Sequence, residues 1–354
     1  VVGERAKLIE QQCLEYEASL VKGVRIPQNY TDFPKDELVK KEKALGGKIR
    51  LISACTVVLL VSIRKYFGAF MSWITRNCIS NGSAIGIDPY SGDWDMLATK
   101  LHSKGKRVNA GDHKDYDAKH VTTAMWAVLD LINRWYNDEH SKIRTGLFLE
   151  IVCSRHAFKN RLVEWNGNMP PGNPLTSIIN TLCNHLYIRQ CFDILAPDLN
   201  FDFHVFLVCQ GDDNIYSVSD EASRFFNEFT VIGAMALQGL TYTLETKKEC
   251  TEYEPRVLED CEFLKRGFRM HEHLGKYVGP LRLNKALALP YWTKDNDMNI
   301  LVDKLDVTSV ELALAGEDTW NKYMPVLLNK WQEVRGSHGW PRVTLYENAL
   351  GRLI

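Results

Sequence analysis

The segment His204–Val218 constrains this chain more than any other. His204 to Cys209 is an apolar run, Gly211-Asp212-Asp213-Asn214 follows, and Ile215 to Val218 is a second run. Two β-prone runs split by Gly, Asp and Asn predict a β-hairpin with its turn at Gly211–Asn214. Asp and Gly suit a tight turn for backbone reasons alone. The Val205–Cys209 strand, however, should be buried, which sets two carboxylates at the end of a core strand. Adjacent carboxylates repel, and burial raises the cost, unless cations sit between them. An all-oxygen donor set suits Mg2+ or Mn2+ rather than zinc.

A chain of 354 residues can bury a large core and form more than one lobe. Its nine cysteines show no CxxC pair and no Cys/His ligand spacing, which argues for reduced thiols rather than disulfides or zinc. Net charge is −1, so any phosphate-binding surface must come from local clustering of Lys and Arg. The apolar run near Val57 to Ile63 is too short to span a bilayer, no signal-peptide pattern is present, and the chain is expected not to be transmembrane. It begins at Val1 rather than Met, as a processed chain or a fragment would.

Apolar periodicity predicts a helix over residues 4–22, another over 56–78, one from Val121 to Trp135 and one beginning near Thr176. Residues 35–50 and 79–93 read as loops. After the hairpin, Ser219 is the expected N-cap of a helix with Ala222, Phe225, Phe226, Phe229 and Ile232 on one face. Gly239 is its expected C′ residue, and Thr241 to Leu244 the next strand. This order predicts an α+β chain with a small antiparallel sheet backed by helices.

Three further constellations carry chemistry. Asp112-His-Lys-Asp-Tyr-Asp117 follows a short strand and precedes a helix. Its plain reading is helix-terminus stabilisation, but a carboxylate at a strand end is placed to share a metal with the hairpin. Met169-Pro-Pro-Gly-Asn-Pro-Leu-Thr176 runs into a helix on which Thr176, Asn180 and Asn184 form one polar stripe. Short amides and hydroxyls there suggest specific hydrogen bonding rather than a solvated face. Finally, Lys35, Lys40, Lys41, Lys43, Lys48 and Arg50 lie within sixteen residues. They read as a solvated charged loop or as a phosphate-binding ribbon.

Taken in order, these elements resemble motifs F, A, B and C of the RNA-dependent RNA polymerases of picorna-like positive-strand RNA viruses. KDELVKKEKALGGKIRLISA resembles motif F, DHKDYD motif A, PPGNPLTSIIN motif B and GDD motif C. Gly239-Leu-Thr-Tyr-Thr with Lys247 resembles motif D, and Phe263-Leu-Lys-Arg266 resembles motif E. The tail, with Pro290-Tyr-Trp292, resembles the thumb of dicistrovirus and iflavirus polymerases. The resemblance covers about residues 30 to 320.

It implies a right-hand fold: partial fingers over 1–105, palm with motif A over 106–135, a fingers insertion over 136–168, palm with motifs B to E over 169–272, and a helical thumb over 273–354. It implies RNA synthesis on an RNA template from nucleoside triphosphates with two Mg2+ or Mn2+ ions. Asp112 and Asp212 would be the principal metal ligands, assisted by Asp213. Lys247 would protonate the leaving pyrophosphate, with Lys248 adjacent. Asp117 and Asn180, with Thr176 nearby, would sense the ribose, because a deoxynucleotide leaves them unpaired. Gly172 lies in the nucleotide-contacting loop. Lys35, Lys43, Lys48 and Arg50 would clamp the triphosphate, and Lys265 and Arg266 would hold RNA phosphates. Implied partners are template and nascent RNA, a small viral protein primer and other viral replication proteins. The implied setting is host cytoplasm, in replication complexes held to membranes by other proteins.

Three positions depart from the pattern: Gln210 before the motif C glycine, Pro171 before the motif B glycine, and Val39 at a basic motif F position. Two rival readings stand beside this one. A reverse-transcriptase-type enzyme usually blocks the 2′-hydroxyl with an aromatic residue where Asp117 stands. A non-catalytic RNA-binding protein would not need Asp112, Asp212 and Asp213 intact.

Overall fold

The computed structural model describes residues 3–291, 293 and 297–353. Trp292, part of the tail resemblance, lies outside the described residues.

The N-terminal pattern forms helix α1 (Glu4–Val21), and strand β1 (Asn29–Pro34) follows. The charge-rich stretch is a loop holding one short helix, α2 (Lys41–Leu45), before strand β2 (Leu51–Cys55). Thr56 caps α3 (Val57–Arg76), its hydroxyl accepting from the Leu59 amide. At 20 residues α3 is long and apolar enough, by length and composition, to cross a membrane. The Val57–Ile63 run thus belongs to a longer apolar helix than its own length suggested. In the fold α3 packs against α1, and Leu59, Ile63, Phe67 and Phe70 sit in the core.

Helix α4 (Asp93–His102) leads into β3 (Arg107–His113). Helices α5 (Thr122–Tyr136) and α6 (Ser141–Val152) precede a hairpin of β4 (Cys153–Phe158) and β5 (Arg161–Asn166). The proline loop opens α7 (Thr176–Leu195), and the one-turn α8 (Phe201–His204) leads into the expected hairpin. That hairpin is β6 (Val205–Gln210) and β7 (Asp213–Val218), followed by α9 (Glu228–Leu237) and β8 (Tyr242–Leu244). A two-stranded ribbon, β9 (Arg269–Met270) with β10 (Tyr277–Val278), comes next. The rest is helical: α10 (Leu283–Ala286), α11 (Met298–Leu314), α12 (Glu317–Val334) and α13 (Tyr346–Leu350).

The central sheet has strand order β6-β7-β3-β8, antiparallel throughout. Strand alternation sends β6 side chains to two different cores. Val205, Leu207 and Cys209 join the core of α7 and α9, while Val208 packs with Trp94 and Leu97 of α4. Both faces are therefore covered, which explains why the His204–Cys209 run is apolar without alternation.

A second sheet, order β2-β1-β4-β5, lies nearer the N-terminus. Its β1–β4 pairing is parallel and joins Asn29 to Arg155. Nothing local in sequence announces a pairing across that distance. A third core gathers Leu312, Leu314, Trp320 and Met324 from α11 and α12 with Tyr346 and Ala349 of α13.

One helix start differs from expectation. Ser219 accepts from the Ala222 amide but caps only a short turn at Ala222–Arg224. The helix begins after Asn227, whose side chain accepts from the Thr230 amide while the Thr230 hydroxyl accepts from the Asn227 amide. Such reciprocal capping outweighs a lone serine hydroxyl. Of the expected face, Ala222 and Phe226 are fully buried, whereas Phe225 and Phe229 stay exposed. Gly239 does close the helix: its amide and that of Leu240 donate to the Ala236 and Met235 carbonyls.

Candidate metal centre and nucleotide site

The turn is tighter than the sequence suggested. Gln210 pairs with Asp213, so only Gly211 and Asp212 form the loop and Asp213 is already in β7. Gly211 has φ +64°, and Asp212 is not among the residues at positive φ. That is the pattern of a type II′ turn, which asks for glycine at its first central position.

Strand β3 runs beside β7, with Gly111 opposite Asn214, so Asp112 emerges next to the turn. One ligand oxygen from each of Asp112, Asp212 and Asp213 lies within 4.8 Å of the other two. The charge is poorly compensated. Desolvation, then Asp112, push the Asp212 carboxyl above its ordinary value although its surface meets solvent. Asp213 is pushed up to about 7 by burial, then by Asp212 and Asp112, against the pull of Lys265 and Lys247. Three converging oxygens with unfavourable mutual repulsion fit a divalent cation. Lys247, at φ +61°, ion-pairs its ammonium with Asp112 Oδ2 at the rim of the cluster.

The polar stripe on α7 supports this centre from below. The Thr181 hydroxyl accepts from the Gly211 amide at 2.9 Å. Asn184 Nδ2 donates to the Gly211 and Asp212 carbonyls at 3.0 and 3.1 Å. Its Oδ1 accepts from Asn214 Nδ2 at 3.2 Å and lies 3.2 Å from His113 Nε2. The Tyr242 hydroxyl donates to Asn214 Oδ1 at 2.7 Å. A buried network thus ties β3, α7, β7 and β8 together beneath the carboxylates. Thr181, His113, Asn214 and Tyr242 were not anticipated; only the Asn184 position in the stripe hinted at such a network.

One turn earlier on α7, Asn180 Nδ2 donates to Asp117 Oδ1 at 2.7 Å. Asn180 Oδ1 lies 2.9 Å from His120 Nε2. The expected third member is oriented differently. The Thr176 hydroxyl donates to the Pro170 carbonyl at 2.9 Å and so braces the loop.

A family model described as viral RNA-dependent RNA polymerase matches residues 2–323. The chain belongs to that family. It is 30% identical over 321 residues to the replicase polyprotein of Drosophila C virus, covering 84% of this chain and 18% of that protein. Against the replicase polyprotein of acute bee paralysis virus it is 30% identical, covering 89% of this chain and 17% of that protein. The RNA1 polyprotein of tomato ringspot virus is 31% identical over 81% of the chain. The chain therefore spans under a fifth of the curated relatives it matches. A solved Sicinivirus 3Dpol RNA-dependent RNA polymerase superposes with a TM-score of 0.82 at 20% identity, covering 100% of this chain and 72% of that one. The right-hand fold expected from the resemblance is thus the fold observed.

Within this polymerase fold, the basic loop is exposed at Lys35, Lys43, Lys48 and Arg50. Arg50 forks onto the Glu37 carboxylate, with Nε 2.6 Å from Oε1, and its charge is also felt by Asp212 and Asp117. Lys35 Nζ is 3.8 Å from the same glutamate. Motif E divides. Leu264 and Lys265, at φ +53° and +65°, form a tight turn that leaves Lys265 exposed. Arg266 turns inward: its guanidinium binds Glu311 of α11 at 2.6 and 3.0 Å and the Gly279 carbonyl at 2.6 Å. Both of its Nη groups are thereby committed to acceptors of the chain itself rather than turned out for an RNA phosphate.

The three departures have visible settings. Val39 is on the exposed loop beside Lys40. Gln210 lies at the end of β6 opposite Asp213. Pro171 lacks an amide, but its carbonyl accepts from the Ser53 amide at 2.5 Å.

Proposed function

We propose that this chain is the catalytic core of a viral RNA-directed RNA polymerase, which extends RNA on an RNA template from nucleoside triphosphates. The observation that carries the reading is the convergence of Asp112 from β3 with Asp212 and Asp213 from the turn and first residue of the neighbouring β7. We assign residues 1–105 and 136–168 to fingers, 106–135 and 169–272 to palm, and 273–354 to thumb.

Asp112 and Asp212, assisted by Asp213, would hold two Mg2+ or Mn2+ ions. Bound there, the ions would lower the pKa of the primer 3′-hydroxyl and neutralise the triphosphate and departing pyrophosphate. Asp117 and Asn180 accept from and donate to the ribose 2′-hydroxyl. Gly172 gives the loop backbone close access to the nucleotide, and Thr176 braces that loop. Lys35, Lys43, Lys48 and Arg50 clamp the phosphates. Arg50 must exchange Glu37 for the triphosphate, and Lys247 must leave Asp112 to donate its proton to pyrophosphate. Lys265 contacts the RNA backbone, and Arg266 holds the thumb. A carboxylate rather than an aromatic ring at position 117 supports ribonucleotides over deoxynucleotides. Polyprotein relatives support action beside other viral replication proteins. Priming by a small viral protein, in membrane-attached complexes of the host cytoplasm, follows from the family resemblance.

The test is primer extension on a homopolymeric RNA template with Mg2+ or Mn2+. The wild type should extend and Asp212→Ala should not. Mn2+ should raise the melting temperature of the wild type but not of the variant. Equal extension by both would sink the metal-site assignment. No extension by a folded wild type would favour the binding-only reading.

A further inference from the structure

The proline loop is fastened at points that the polymerase chemistry does not itself require. Ser53 on the free edge of β2 donates its amide to the Pro171 carbonyl. At Gly172, φ is +115°, and a Cβ would meet the Ser53 carbonyl oxygen at 2.7 Å. Asn173 Nδ2 donates to the Tyr30 hydroxyl at 2.8 Å, while its Oδ1 accepts from the Leu175 amide at 2.9 Å. The loop is therefore pinned as a turn against the edge of the N-terminal sheet.

The inner face of that sheet carries its own buried network. The Tyr30 ring stacks on His156, with centroids 5.2 Å apart and planes 16° from parallel. His156 Nδ1 lies 2.9 and 3.1 Å from the two Asp32 oxygens. A carboxylate only accepts, so Nδ1 carries the proton. Its Nε2 faces the Ser154 hydroxyl at 3.0 Å, and the Ser53 hydroxyl donates to Asp32 Oδ1 at 2.5 Å. His156 is 3% exposed, Ser53 1%, and Tyr30 and Ser154 fully buried. Each of Asp32, His156 and Ser154 comes from β1 or β4, so the network also locks the parallel pairing of those strands.

At its other end the loop reaches the sugar site. The Met169 amide donates to the Asp117 carbonyl at 2.8 Å. Asp117 is thus held by its backbone from the loop and by its carboxylate from Asn180.

We infer that Asp32, His156 and Tyr30 are positioning residues that fix the Pro170–Asn173 loop and, through Met169, the Asp117 sugar contact. They touch no substrate. They act by holding a loop that two prolines already stiffen, so a shift in the sheet is passed on rather than absorbed. The inference rests on the polymerase reading for its catalytic consequence, but the loop geometry stands apart from it.

The test compares Tyr30→Phe, Asp32→Ala and Asp32→Asn with Met324→Ala, a control in the third core. One readout is the ratio of kcat/KM for a ribonucleoside and the matching deoxyribonucleoside triphosphate. A smaller active fraction leaves that ratio unchanged, so a merely structural role does not move it. Tyr30→Phe and Asp32→Ala should lower it roughly 3- to 10-fold, mainly through KM for the ribonucleotide. Asp32→Asn keeps an acceptor for Ser53 and should restore most of the ratio. Met324→Ala should lower the melting temperature alone. The second readout is amide exchange of the 169–176 segment, which needs no activity. It should quicken in Tyr30→Phe and Asp32→Ala but not in the control. Unchanged ratio and unchanged exchange would overturn the inference. A wild type that exchanges as expected but incorporates no ribonucleotide would instead remove the polymerase reading, and exchange alone would then decide the loop's anchoring.

Discussion

Asn180 Nδ2 donates to Asp117 Oδ1 at 2.7 Å, and this single bond joins the helix after the proline loop to the turn after the first acidic strand. The two residues are 63 positions apart in sequence. Together they present a carboxylate and an amide beside the acidic cluster, a pair suited to a vicinal hydroxyl.

Asn180→Ala should relax sugar selection. Removing one partner leaves Asp117 turned by its remaining contacts, so discrimination against a deoxynucleotide should fall roughly 10- to 100-fold, about 1–3 kcal/mol. Competing incorporation of matched ribo- and deoxynucleotides measures it. Equal discrimination in variant and wild type would remove Asn180 from the sugar site.

Asn184→Ala should damage stability and catalysis together. It strips the acidic turn of its amide anchor, leaving only Thr181 on Gly211, and leaves the buried Asn214 amide short of a partner. Unsatisfied buried groups of this kind cost about 2–4 kcal/mol in total. Urea denaturation should show that loss, and Mn2+ binding should weaken because the turn no longer holds Asp212 against Asp112.

Arg266→Ala should act on the thumb rather than on RNA affinity. Glu311 is 1% exposed and would be left a buried carboxylate with no cation, held only by the Tyr90 hydroxyl and the Leu281 amide. Breaking such a pair costs about 3–5 kcal/mol, whereas Arg266→Met combined with Glu311→Leu should recover much of it. Thermal denaturation of the wild type, Arg266→Met, Glu311→Leu and their double variant, alongside RNA binding by Lys265→Ala, separates the two residues of motif E. Weaker RNA binding by a fully stable Arg266→Ala would reverse this assignment.

His185 should make the protein acid-sensitive. Its Nε2 donates to the Gly82 carbonyl at 2.6 Å, and burial, with Arg189 nearby, holds its pKa down at about 4. The unfolded chain takes up a proton near pH 6.5 while the folded one does not. Stability present above pH 6.5 is therefore lost as pH falls toward 4, by on the order of 2–3 kcal/mol. His113, also held at about 4, adds to the slope. In His185→Gln the melting temperature should depend less on pH across this window. An unchanged slope would show that His185 protonates freely in the fold.

Much of the centre was legible because it is built from local signals. A turn, an apolar strand and a strand-end carboxylate each have a sequence signature, and the amide stripe on α7 pointed to specific hydrogen bonds. The start of α9 was misread because Ser219 and Asn227 are both good caps, and reciprocity with Thr230 decided between them. The inward turn of Arg266 was not legible, since nothing near it in sequence names Glu311 as its partner.

By itself, the sequence determined the order of the elements, the acidic turn and its match to a polymerase family. These depend on backbone preference, apolar period and residue type, which act over a few positions. Only the tertiary structure decided that Gly211 and Asp212 alone make the turn, that Lys247 lies against Asp112, and that β1 pairs with β4. It also decided that Asp117 is gripped from two sides. All but the turn are contacts between distant segments, set by how sheets and helices share a core rather than by neighbouring residues. The acidic turn is thus written locally, but its readiness to hold metal depends on Asp112 and Asn184 arriving from elsewhere.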